Sequence, residues 1–96
     1  MNKEPMNNNA YFEEFEEFWK EYPNKTGKRA AYAKWNATLK KNFDAWDEWT
    51  PESMLTVAAI RYATATEKTE AKYIKHAATF LGPDEYWREM LEQAEV

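Results

Sequence analysis

Cysteine is absent from the 96 residues, which excludes a disulfide scaffold and any thiolate metal site. Histidine occurs once, as His76, so a multi-histidine zinc site lacks its second ligand. Glycine occurs only at Gly27 and Gly82, too sparse for a glycine-rich loop that cradles phosphate. No apolar run approaches the ~20 residues of a membrane span, and the mean hydropathy is −0.93. Residues 1–9 are polar and lack the apolar stretch of a secretory leader. Together these absences predict a protein that is not an enzyme, holds no cofactor or metal, does not enter a membrane and stays in the cytoplasm. Many carboxylates are present, but none falls in a pattern that would raise a pKa for acid–base work.

What is present is aromatic. Five Trp, six Tyr and five Phe make up 17% of the chain, a load that disordered chains do not carry. A chain of 96 residues holds one hydrophobic core. The expectation is an all-α, compact bundle of four to five short helices over residues 9–96, behind a disordered tail at 1–8. Helix one is expected over about 9–21, N-capped by Asn9 and ended by Pro23. Tyr11, Phe12, Phe15, Phe18, Trp19 and Tyr22 share one arc, opposite Glu13, Glu14, Glu16, Glu17 and Glu21. Helix two is expected over about 27–41 with Thr26 as N-cap, burying Ala31, Tyr32, Trp35 and Leu39. Thr50-Pro51-Glu52 opens helix three, which fades near Thr66. Helix four is expected over about 70–81, with Tyr73, Ile74, Ala77, Ala78 and Leu81 inward, stopped by Gly82-Pro83. A last helix is expected over about 84–94.

The net charge of −4 hides alternating zones. Residues 25–41 carry Lys25, Lys28, Arg29, Lys34, Lys40 and Lys41 and no acid, while both neighbouring segments are acidic. Lys28 and Arg29 stand at a helix start, where the macrodipole disfavours cations. Two readings follow. The basic helix and the acidic first helix neutralise each other across the hairpin, or Lys25, Lys28 and Arg29 form an anion site. In the second reading Lys34, Lys72 and Lys75 extend the site, giving a nucleic-acid surface by phosphate neutralisation. Trp46 and Trp49 lie off the helical stripes, among Asp44, Asp47 and Glu48. They are either a lid on the core or anchors for a basic partner surface.

Two stretches carry a resemblance. The first runs from Phe15-Glu16-Glu17-Phe18-Trp19 through Tyr22-Pro23-Asn24-Lys25-Thr26-Gly27-Lys28-Arg29 to Trp35. The second is Lys72-Tyr73-Ile74-Lys75-His76 through Thr79-Phe80-Leu81-Gly82, then Trp87. In this order they resemble the C-terminal module of replisome-organiser, or DnaD-type, replication proteins from phages of Gram-positive bacteria. That family often has Pro after the His of the second motif. Ala77 stands there here and is expected to let helix four run on through His76. The winged-helix domain that usually precedes the module has no counterpart in these residues. The resemblance implies a replication accessory or host-takeover module in a bacterial host cell. It would act by binding a protein partner such as a helicase loader, a helicase or another host factor. Direct DNA binding through the helix at 25–41 and inhibition of a host defence nuclease are the alternatives. An acidic mimic of DNA is disfavoured by the basic middle of the chain.

Overall fold

The computed structural model describes residues 11–41 and 51–93. Trp46, Asp47, Glu48 and Trp49, the expected partner anchors, lie outside the described residues, as do Asn9 and the expected tail. The described residues form five α-helices: α1 (Glu13–Glu21), α2 (Lys28–Lys41), α3 (Pro51–Ala65), α4 (Ala77–Leu81) and α5 (Trp87–Gln93). A 3₁₀ turn (Ala71–Tyr73) stands between α3 and α4. No strand occurs among the described residues, and none of their helices is long and apolar enough to cross a membrane. The all-α expectation holds.

The core is one aromatic cluster. α1 packs on α3, α2 on α4 and α3 on α5. From α1 come Phe15, Phe18, Trp19 and, just past its end, Tyr22; from α2 come Ala31 and Trp35. α3 adds Leu55, Ala58, Ala59 and Tyr62, and the last helices add Ala77, Phe80, Leu81, Trp87 and Met90. The small residues Ala58 and Ala59, both fully buried, let α3 approach its neighbours closely. Tyr22 sits at the centre, its ring centroid 5.1 Å from Phe80 and 5.7 Å from both Phe18 and Tyr62. Aromatic pairs at such spacings add about 0.5–1.5 kcal/mol each beyond area burial.

Local readings are corrected in four places. α1 begins at Glu13, because Phe12 is extended (φ −58°, ψ 143°). Phe12 therefore leaves the inward arc and is 60% exposed, resting edge-on against Tyr32. α2 begins at Lys28, not Gly27. Gly27 has φ +75° and accepts the first helical bond from Ala31, while the Thr26 amide is held by the Asn24 side chain (3.0 Å). An L side chain rarely adopts that φ, which is why glycine stands there. On α2, Thr38 is buried in a place the inward stripe did not include, and Tyr32 and Leu39 are only half-buried. Finally, the helix expected over 70–81 is broken. It becomes the 3₁₀ turn, an extended stretch at Ile74 (φ −91°, ψ 123°) and His76 (φ −63°, ψ 151°), and a short α4. Ala77 does not carry the helix back through His76, and Tyr73 points outward with 68% of its surface exposed. Gly82 ends α4 in an extended conformation before a cis peptide bond to Pro83, where the stop was expected.

Candidate nucleic-acid interface

The break in the fourth helix has a definable cause. The backbone of Ile74 and Lys75 bonds to side chains from elsewhere in the chain, which leaves it unavailable for a helical ladder. The Tyr22 hydroxyl donates to the Lys75 carbonyl at 2.6 Å, and the Lys75 amide donates to the Tyr62 hydroxyl at 3.0 Å. The Asn24 amide donates to the Ile74 carbonyl at 2.8 Å, and the Ile74 amide reaches the Ala71 carbonyl at 3.1 Å. All four backbone groups of the two residues are thus satisfied without a helix. Burial, with a smaller contribution from Tyr62, pushes the Tyr22 hydroxyl well above its ordinary value. It stays protonated and keeps donating.

This clamp fastens the second sequence motif against the first and leaves a groove of about 640 Å³ between them. Asn24, Lys25 and Thr26 form one wall. Lys72, Tyr73, Ile74, Lys75 and His76 form the other, with Thr79 beyond. Among the described residues no carboxylate lines this groove. Lys75 holds its ammonium 4.8 Å from the Tyr86 ring centroid, and Lys72 holds its own 5.2 Å from that of Tyr73. Lys72 also lies 3.8 Å from Glu70, but both side chains are about 70% exposed, and such a pair is worth little.

The acids gather elsewhere. Glu14 and Glu17 of α1 and Glu52 of α3 line a second groove of about 320 Å³, floored by Thr56 and Val57, with no base on its walls among the described residues. The two grooves are therefore lined by charges of opposite sign.

The six basic residues expected to bind anions have separate fates. Lys25, Lys72 and Lys75 meet at the groove. Lys25, however, donates to the carbonyls of Trp19, Lys20 (2.8 Å) and Tyr22 (2.7 Å). Its three donors close the C-terminal end of α1, which makes it a structural cap rather than an anion ligand. Burial lowers its pKa, Glu21 opposes that shift and Lys28 adds to it. Lys28 bonds both Glu16 oxygens at 3.0 and 3.1 Å and lies 4.8 Å from the Tyr11 ring centroid. At that position the neutralisation reading describes the structure. Arg29 is exposed on α2 and does not line the groove. Lys34 stands in a smaller groove with Lys41, where Lys41 pairs with Glu85 at 3.6 Å. Asn24, Thr26, Tyr73 and His76 were not among the expected site residues. Asn24 and Thr26 flank Lys25, and Tyr73 and His76 flank Lys72 and Lys75, so adjacency to the expected cations was the one sequence signal for them. Among the described residues, no group of three or more His, Asp or Glu is placed to hold a metal ion.

Comparison with known proteins gives one result. Residues 10–84 match the family model described as the Legionella vir region protein LvrA C-terminal domain. No curated protein and no solved structure matches. The matched span includes nearly all of both motifs on which the resemblance to DnaD-type replication proteins rested. That match is to a different family from the DnaD-type replication proteins, so the expected membership is corrected. The chain belongs to the LvrA C-terminal domain family.

Proposed function

We propose that this domain is a non-catalytic nucleic-acid-binding module whose contact surface is the groove between the turn at 23–26 and the segment at 71–76. The observation that supports it is the opposite charge of the two grooves. A chain of net charge −4 keeps a groove walled by Lys25, Lys72, Lys75 and His76 free of carboxylates among the described residues. Local potential, not net charge, steers an anionic polymer, and an acidic face elsewhere orients the encounter. The contacts expected are phosphate oxygens on the ammonium groups of Lys72 and Lys75, with Thr26 and Thr79 as hydroxyl donors. That role would place the chain in the cytoplasm.

The test is fluorescence anisotropy with labelled oligonucleotides across a salt series. The wild-type affinity should fall linearly in log–log form with salt. Replacing Lys72 and Lys75 with Ala should weaken binding about 10-fold or more and lower the slope by about 1.4, from ~0.7 per phosphate contact on a single strand. An unchanged slope in the double variant, or no binding at low salt, would overturn the proposal.

A further inference from the structure

Tyr73 is the one large aromatic side chain in the described groove walls that the core does not use. It follows a charged residue, lies within a 3₁₀ turn and keeps 68% of its surface in water. Exposing an aromatic ring forgoes burial worth about 1.5–3 kcal/mol for a side chain of that size, and no hydrogen bond of its hydroxyl offsets this among the contacts the structure records. Its backbone is nonetheless fixed. The Tyr73 amide bonds the Glu70 carbonyl at 2.9 Å, and the next two residues are clamped by Asn24, Tyr22 and Tyr62. The ring is thus a presented group on a rigid support, with Lys72 above it at 5.2 Å and Lys75 two residues on, set against Tyr86.

Resting on the nucleic-acid reading above, we infer that the groove takes single-stranded nucleic acid, with one base stacked on Tyr73 and the flanking phosphates on Lys72 and Lys75. An aromatic platform beside cations is the arrangement by which unpaired strands are held without sequence preference, because every base offers a π-face. A duplex keeps its bases inside and cannot use the platform. The groove volume of about 640 Å³ is that of a small-ligand cleft, about 300–1,000 Å³. It suits bases entering singly rather than the flank of a helix of paired strands. The stack and the two ammonium groups belong to one continuous segment, so base and phosphates are read together.

The experiment compares four ligands on the full chain: an oligo-dT strand, an oligo-U strand, a duplex of equal length and heparin. Each is measured against wild type, Tyr73→Phe and Tyr73→Ala. Both single strands should bind at least about 10-fold more tightly than the duplex. Tyr73→Ala should weaken the single strands about 5- to 150-fold, from stacking worth ~1–3 kcal/mol per base, while heparin changes less than about 2-fold. Tyr73→Phe, which keeps the ring, should stay within about 2-fold of wild type. Photo-crosslinking of a halogenated uracil should label Tyr73. Equal affinity for duplex and single strand, or a Tyr73→Ala variant that binds single strands like wild type, overturns this inference and leaves the polyanion reading standing. Failure of all four ligands, heparin included, overturns both. Tyr73 is outside the core, so a folded circular-dichroism spectrum of the Ala variant is expected and checks that lost binding is not lost fold.

Discussion

The sharpest consequence of the clamp concerns one oxygen atom. Tyr22→Phe keeps the ring, and with it the stacks on Phe18 and Tyr62 and the tilted contact with Phe80, and removes only the hydroxyl that donates to the Lys75 carbonyl. Tyr22 is 1% exposed, but the bond itself is partly buried, so water reaches part of the abandoned carbonyl. A net hydrogen bond is worth about 0.5–1.5 kcal/mol, and a stranded buried acceptor costs about 1–3. Partial solvent access puts the expected loss at about 1–2 kcal/mol. In a domain of this size that lowers Tm by roughly 4–15 °C. The assay is urea denaturation with amide hydrogen exchange, and the exchange of Ile74 and Lys75 should quicken more than that of α1 or α3. Tyr62→Phe removes the acceptor for the Lys75 amide and should act on the same residues. Because both hydroxyls hold Lys75, the double variant should cost less than the sum of the two, with a coupling of about 0.5 kcal/mol or more. A loss below about 0.3 kcal/mol for Tyr22→Phe, with unchanged exchange at 74–75, would refute the clamp as the reason the segment is extended.

Three further expectations concern the end of α1, the turn before α2 and the behaviour of the fold in alkali. Lys25→Met strips the donors from three carbonyls at the end of α1 and should cost about 1–2 kcal/mol. Lys28→Met, in a half-exposed pair with Glu16, should cost under about 1; chemical melts of the two rank them. Gly27 has φ +75° and an added Cβ would meet nothing within 4 Å, so Gly27→Ala should cost only the left-handed backbone penalty of about 1–2 kcal/mol. Gly27→Asn should cost less, read as a higher Tm. At alkaline pH the unfolded chain loses the Tyr22 proton near pH 10 while the folded chain retains it. The stabilisation is therefore whole below pH 10 and falls above it by about 1.4 kcal/mol per pH unit. Melts from pH 9 to 11.5 should show a shallower fall for Tyr22→Phe.

Much of the fold was legible because it is local. Pro51 and Glu52 announce α3, and the spacing of Phe15, Phe18 and Trp19 sets the buried face of α1 within one helix. Tyr73 was not legible. Its period fits a helix that would turn it inward, and the bonds that break that helix come from Tyr22, Asn24 and Tyr62, distant in sequence. Periodicity carries no information about such partners. The basic residues were legible as a set but not in their roles. Lys25 and Lys28 look alike in sequence to Lys72 and Lys75, and only geometry shows that the first two serve the end of α1 and Glu16. The groove was prefigured by two motifs about forty residues apart, without any sign of which side chains between them would face it.

The central claim is that the paired-motif groove is a surface for an unpaired strand. The direct measurement is an amide chemical-shift titration of the isotope-labelled chain with a short oligo-dT strand at low salt. The account predicts shifts concentrated at 23–26 and 71–76, with Lys75 and Tyr73 among the largest and the acidic groove around Glu14, Glu17 and Glu52 silent. Shifts centred on that acidic groove or along Arg29 and Lys34, or none at all, would contradict it.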